Sequence, residues 1–275
     1  MRIGYTIWYK DLRDLDYLVN ELSKAEFDLI ELSIDYPLCF KMGLPMETLR
    51  YFIKKGFSIG IHAPWRDIEL ASPISKIREA SVEAIIHSIR LLNGIDVKYV
   101  VLHVTTEQAF CGYRDRECLD AAEQSLYTII EIAKENDIDI LVETTHDKCC
   151  GGEEQVPYLL ERFPSLGLCV DIAHIATRRY RKWGATLDVE ELFYDLPPIA
   201  IERTKVIHVH GFRELEYNIT FTHLVPEPEL ISKLKNVLRR LENLEAIVLE
   251  VFKDAEGQDV RPSEIKWVVS LLRGV

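Results

Sequence analysis

At 275 residues the chain can bury one large α/β core or two small ones, and 48% hydrophobic with 28% charged residues is the make-up of a soluble globular protein rather than a disordered or fibrous one. No apolar run approaches the roughly 18–20 residues of a membrane span, and a formal net charge of −12 argues against an extended nucleic-acid footprint, which needs clustered Lys and Arg. The chain enters a strand-like segment at once, Met1-Arg2-Ile3-Gly4-Tyr5, without a signal-peptide pattern; its six Cys, two of them adjacent at Cys149-Cys150, do not suit a secreted disulfide framework, so reduced thiols and a cytoplasmic location are expected.

Strand and helix patterns then alternate. Arg2–Thr6 is the first strand, and Asp11–Ala25 carries helical spacing through Leu12, Leu15, Leu18, Val19 and Leu22. Asp28–Ser33 is the second strand. Pro45–Lys55 reads as a helix, with Pro45 in its first turn and Gly56 as its stop. Phe57–His62 is the third strand, followed by a helix over Ser75–Leu92 that Asn93-Gly94 ends. Lys98–His103 is the fourth strand, Asp115–Asn136 a long helix, Ile138–Glu143 the fifth strand and Glu153–Phe163 a shorter helix. Leu166–Asp171 is the sixth strand. A polar, basic segment follows, then a helix over Asp188–Tyr194. Lys205–His210 is the seventh strand, Pro228–Leu241 a helix, Ala246–Glu250 the eighth strand, and Pro262–Leu272 a closing helix.

Apolar strands alternating with amphipathic helices mean a parallel sheet covered by helices. Eight such units without a linker predict a single (β/α)8 TIM-barrel domain over residues 1–275. A doubly wound open sheet is the alternative, and no Gly-x-Gly-x-x-Gly follows the first strand to support it. In a barrel the chemistry lies at the C-terminal ends of the strands. Those ends carry His62, His103, Glu143, Asp171, His208 and Glu250, each two residues after an inward-facing partner such as Val101, Leu141 or Val206. Three carboxylates in one low-dielectric mouth would repel one another and raise their own pKa values, and a divalent cation removes that conflict. All six are candidate metal ligands, with Glu143, Asp171, His208 and Glu250 the core set; zinc or manganese suits them best, with magnesium or cobalt as alternatives.

These motifs resemble the xylose isomerase-like TIM-barrel superfamily, which includes sugar isomerases, sugar epimerases and endonuclease IV. The resemblance rests on His62-Ala63-Pro64-Trp65 with Leu70-Ala71-Ser72-Pro73 and Arg78-Glu79-Ala80-Ser81, on Val101-Leu102-His103, on Leu168-Cys169-Val170-Asp171-Ile172-Ala173-His174 and on Ile207-His208-Val209-His210. It implies, for the epimerase branch, one metal on Glu143, Asp171, His208 and Glu250, with His174 and Arg213 on the substrate. For the endonuclease IV branch it implies three zincs that also engage His62, His103, His174 and an Asp-x-His motif. Here that motif reads Phe221-Thr222-His223, so Phe221 stands where the pattern has Asp. Glu143-Thr144-Thr145 likewise replaces the Glu-Asn of many sugar-active relatives.

The leading expectation is a metal-dependent isomerase or epimerase of a small carbohydrate or sugar phosphate. Glu143 and Glu250 would exchange the proton of an enediolate, and His174, Arg213, Trp65, His210 and His223 would contact substrate. The alternative is a zinc-dependent phosphodiesterase acting at abasic sites in DNA, and a barrel that binds without catalysis is a third. No membrane partner is expected, and the sequence leaves the oligomeric state open. Trp8 and Tyr36 could wall a pocket, although each alone is more often loop packing. Cys149-Cys150-Gly151-Gly152 lacks the spaced partners of a metal motif. His146 is expected in solvent, His87 in a purely structural place, and Glu31 in an internal ion pair. Arg178, Arg179, Arg181 and Lys182 suit either a phosphate or a solvated face.

Overall fold

The computed structural model describes every residue except 45, 109–110, 112–115, 147–148, 185–187, 216–217 and 275, and the backbone alone at 213–215 and 218–222. The strands β1 (Arg2–Ile7), β2 (Leu29–Ser33), β3 (Ser58–His62), β4 (Val97–Leu102), β5 (Ile140–Glu143), β6 (Gly167–Asp171), β7 (Thr204–Val209) and β10 (Ala246–Leu249) form a closed parallel barrel in the order β1-β10-β7-β6-β5-β4-β3-β2. Around it run α1 (Leu15–Lys24), α2 (Met46–Lys54), α3 (Ser75–Leu91), α4 (Arg116–Glu135), α5 (Val156–Arg162), α6 (Ile172–Trp183), α7 (Val189–Asp195), α8 (Pro198–Arg203), α9 (Pro228–Leu238) and α10 (Lys266–Arg273). A separate antiparallel hairpin, β8 (Gly211–Leu215) with β9 (Asn218–Leu224), follows β7. The chain is thus a (β/α)8 barrel, as its alternation of patterns predicts. Among the described residues, no helix is long and apolar enough to cross a membrane.

The strands are buried on both faces, which is why they read as near-continuous apolar runs. Their outward side chains join the helices in one large core. Their inward side chains form a separate plug of Leu29, Tyr99, Val101, Leu141, Cys169, Val206, Ala246 and Val248. Gly60 makes room in that plug, since a Cβ there would meet the Tyr99 ring at 2.5 Å. Burial of each larger plug side chain contributes about 1.5–3 kcal/mol, and it forms a dry floor on which charged groups must be paired.

Several elements differ from the sequence expectation. Asp14 caps α1 by accepting the Tyr17 N–H at 3.0 Å, so the expected helix from Asp11 splits into a 3-10 turn and α1. The basic segment after β6 is helical as α6, because Asp171 caps it and Ile172, Ala173, Ile175 and Ala176 supply a buried stripe. The six-residue α8 is too short to show a helical period, and the β8–β9 hairpin replaces an expected loop. Residues 45 and 115, expected in first turns, lie outside the described residues. Cys111 lies beside Cys118 and Cys149 beside Cys150, while Cys39 and Cys169 are buried without a cysteine neighbour.

Candidate metal centre

The strand ends converge as predicted, and the convergence is organised by Glu143 at the end of β5. Its Oε2 accepts from His62 Nε2 at 3.1 Å and His103 Nε2 at 3.0 Å. Its Oε1 lies 3.3 Å from His174 Nδ1 and 3.5 Å from His208 Nδ1. One carboxylate therefore faces two different groups. On one side are His62 and His103, on the other Asp171, His174, His208 and Glu250. His208 Nδ1 is also 3.6 Å from Glu250 Oε1. Ligand atoms held by one tetrahedral ion at about 2.1 Å lie roughly 3.4 Å apart, and the spacings of His62, His103 and His208 to Glu143 are close to the edges of such a shell. The register makes the core set adjacent: Asp171 stands opposite His208 between β6 and β7, and His208 opposite Val248 on β10, two residues before Glu250.

Two further observations fit a cation. Asp171 Oδ2 and His208 Nδ1 are buried without a hydrogen-bond partner, a costly state unless something else engages them. The histidines are also oriented as ligands usually are, with one ring nitrogen fixed by an outer partner. His62 Nδ1 donates to the Ala63 carbonyl at 2.9 Å and His174 Nδ1 to the Thr144 carbonyl at 3.0 Å. His208 Nε2 donates to Glu31 Oε2 at 3.2 Å, which leaves Nδ1 toward the carboxylates. Glu31, fully buried on β2, also accepts from the Tyr99 hydroxyl at 2.9 Å. The expected internal ion pair of Glu31 is thus with His208.

The carboxylates are shifted in opposite directions. Burial pushes Glu143 up, but the charges of His103 and His208 and the hydrogen bonds from His103 and His174 hold it well below the usual range. Burial pushes Glu250 up, His208 opposes, and the negative charges of Glu143 and Asp171 add, so Glu250 is raised. Burial lowers His62, yet the hydrogen bond and charge of Glu143 raise it to about 9; burial lowers His174, yet Asp171 and Glu143 raise it to about 10. Burial and the His210 charge take His223 down to about 3.

Above the cluster opens a cavity of about 720 Å³, lined by His62, His103, Glu143, His174 and Glu250 at its base and by Trp8, Trp65 and Arg66 along its wall. Asp171, His208 and His210 are fully buried below it. Trp65 lies against the His103 ring, with centroids 5.5 Å apart. His146, expected in solvent, instead lines the cavity with its ring 5.1 Å from that of His174. Sequence reasoning missed the support of this wall: Asp35 accepts the Trp65 N–H at 3.1 Å and pairs with Arg66, whose guanidinium lies over Trp65 at 4.1 Å. Tyr36 is exposed and does not line the cavity, and His87 sits on the outer face of α3 against Phe40. The Arg213 side chain lies outside the described residues. Arg178 and Arg179 are turned to Glu154 at 2.6 Å and Glu153 at 2.9 Å.

A family model described as a xylose isomerase-like TIM barrel matches residues 19–271. "Probable endonuclease 4" of Mycoplasmopsis pulmonis (strain UAB CTIP) is 26% identical over 165 residues, covering 55% of this chain and 53% of that protein, so the chain spans about half the length of this curated relative. Among solved structures, D-psicose 3-epimerase with D-tagatose from Clostridium cellulolyticum H10 superposes with a TM-score of 0.72 at 13% identity, covering 100% of this chain and 99% of that one. IOLI protein with a binding zinc atom gives 0.72 at 14%, again over 100% and 99%. Endonuclease IV from Thermus thermophilus gives 0.67 at 18%, over 100% and 98%. At these identities the likeness to the solved structures is one of fold.

Proposed function

The chain belongs to the xylose isomerase-like TIM barrel family, and on that premise we propose that it hydrolyses a phosphate ester at a centre of two or more divalent ions, zinc or manganese, bridged by Glu143. The observation that carries this reading is the division of the Glu143 oxygens between His62 and His103 on one side and His174 and His208 on the other. This reverses the ranking of the two chemistries made from sequence. An isomerase would use Glu143 as a proton carrier, but here histidines flank both of its oxygens and hold its carboxyl well below the usual range, burial notwithstanding. The relative named as a probable endonuclease supports the same choice.

Divalent ions bound there would supply Lewis acidity, favouring ionisation of water near neutral pH and offsetting the charge of the ester. The rest falls to the chain. Glu250, whose carboxyl burial raises, takes a proton from the attacking water. The water oxygen bonds to phosphorus, the P–O ester bond breaks, and the alkoxide leaves as the alcohol by taking back the proton that Glu250 removed from the water. His174 and His146 line the cavity beside the carboxylates and orient the phosphate oxygens. Trp8 and Trp65 wall off bulk water. Among the described residues the cavity also carries Asp67, Glu69 and Glu107, so the ester enters as a compact group rather than along a basic track.

That same acidic rim and the cavity volume favour the second reading, isomerisation or epimerisation of a small uncharged carbohydrate. Metal-loaded protein should be offered bis(p-nitrophenyl) phosphate, an abasic-site duplex and a set of ketohexoses in deuterated water. Ester cleavage without deuterium entering any sugar is expected. Deuterium uptake beside the sugar carbonyl, with no ester cleaved, would reject the hydrolytic reading in favour of the isomerase.

A further inference from the structure

Arg178 is not among the residues that line the cavity, yet it stands one turn beyond His174 on the same face of α6. Its guanidinium lies on Gly152, in the loop after β5, where a Cβ would meet Nη2 at 2.5 Å and Cζ at 2.6 Å. Any side chain at 152 would lift it from that seat. From there the guanidinium forks onto Glu154, Nη2 donating to Oε1 at 2.6 Å and Nε to Oε2 at 3.1 Å. Two parallel bonds fix orientation as well as distance, and with the Arg178 side chain only 14% exposed, water screens the pair little. Arg179 repeats the link, donating to Glu153 Oε1 at 2.9 Å and to Asp195 Oδ2 at 2.9 Å.

These bonds close one end of a longer joint. At the other end Thr144 Oγ1 accepts the Asp171 N–H at 2.9 Å, and the Thr144 carbonyl accepts from His174 Nδ1 at 3.0 Å. The loop is thus fastened to α6 at Thr144 and again at Gly152 and Glu154. His174 lies between the two fastenings on the helix, with its ring 5.1 Å from that of His146 on the loop.

We propose that Arg178, seated on Gly152 and forked to Glu154, is a positioning residue for His174: it holds α6 against the loop after β5 and so keeps the imidazole in place beside the carboxylates. What that imidazole does to a phosphate ester rests on the hydrolytic reading above; the joint between loop and helix does not. Displacing a reacting group by about 1 Å can cost about 100-fold in rate, so a joint outside the cavity governs turnover without touching substrate.

The test uses full-length zinc-loaded protein, with circular dichroism as the check on folding. Arg178→Gln removes the charge, and Gly152→Ala lifts the guanidinium while leaving every charge in place. Arg178→Lys keeps the charge without the fork and serves if the other two do not fold. For each variant, kcat for bis(p-nitrophenyl) phosphate is measured with His174 present and with His174→Ala. A loss of at least about 10-fold is expected with His174 present. Less than about 2-fold is expected without it, because a positioning residue loses its effect with the group it positions. The 15N signals of the His174 ring, assigned by their disappearance in His174→Ala, should shift in each variant while those of His87 stay in place. Equal losses in the two backgrounds would overturn the proposal by showing a general effect on the fold, and so would the absence of any loss. If wild type cleaves no ester, the hydrolytic reading falls and the ring signals decide: unshifted His174 signals in folded variants would overturn the joint, and shifted ones would uphold it.

Discussion

Glu143 presents its two carboxylate oxygens to different neighbours, and nearly every property of the centre follows from that. Glu143→Gln keeps the shape but removes the charge that draws His62, His103, His174 and His208 together. Zinc affinity should fall by at least the roughly 100-fold at the upper end for outer-sphere partners, read by chelator competition; unchanged affinity would mean that Glu143 is not a ligand. Glu31 acts one step further out by holding His208 Nε2. Glu31→Gln retains an acceptor but not the charge, so zinc affinity should fall about 10-fold with the fold intact. The metal-free chain carries a pH signature as well. His62 and His174 have folded pKa values raised to about 9 and about 10 from an ordinary 6.5. A raised value means that the folded state favours the proton. The stability contribution is therefore complete below pH 6.5 and is lost as pH rises through 9 to 10. Chelator-treated protein should show Tm falling over that interval, whereas zinc, which displaces the protons, should flatten the decline. A Tm in chelator that does not fall would contradict these protonation states.

The helix α6 carries His174 into the centre from a segment that reads as merely basic. Its capping residues decide the matter. Asp171 Oδ1 accepts the His174 N–H at 2.7 Å at one end, and Gly184, at φ 65°, closes the other with its N–H on the Tyr180 carbonyl at 2.8 Å. Gly184→Ala places a Cβ in the left-handed region and should cost about 1 kcal/mol, or about 2–4 °C in Tm; an unchanged melt would show that the cap contributes nothing. The barrel strands were legible because burial on both faces leaves apolar runs that no surface element shares. The start of α6 was not, because Arg178, Arg179, Arg181 and Lys182 dominate its second half while its apolar stripe is confined to the first turn and a half. The hairpin was missed for a different reason. Asn218–Leu224 does alternate apolar with polar through Ile219-Thr220-Phe221-Thr222, but no local pattern pairs it with Gly211–Leu215, and so the approach of His223 to His210 could not be read from spacing.

At the scale of the whole molecule, barrel closure gathers groups spread from position 62 to position 250 into one mouth, and reading the strand ends was enough to collect them. Barrel stagger decides which oxygen of Glu143 meets which histidine, and no local pattern in the chain records it. For that reason the candidate residues were legible and the division of Glu143 was not. Asp171 illustrates both halves: its place at the end of β6 follows from an apolar run, while its unpartnered Oδ2 emerges only from the packing of β6, β7 and the loops above them. The most direct test is anomalous X-ray scattering at the zinc edge from crystals of the loaded protein. Separate peaks are expected on the two sides of the Glu143 carboxylate, one against His62 and His103 and one among Asp171, His208 and Glu250. A single peak among Asp171, His208 and Glu250, with His62 and His103 still hydrogen-bonded to Glu143, would contradict the bridged centre.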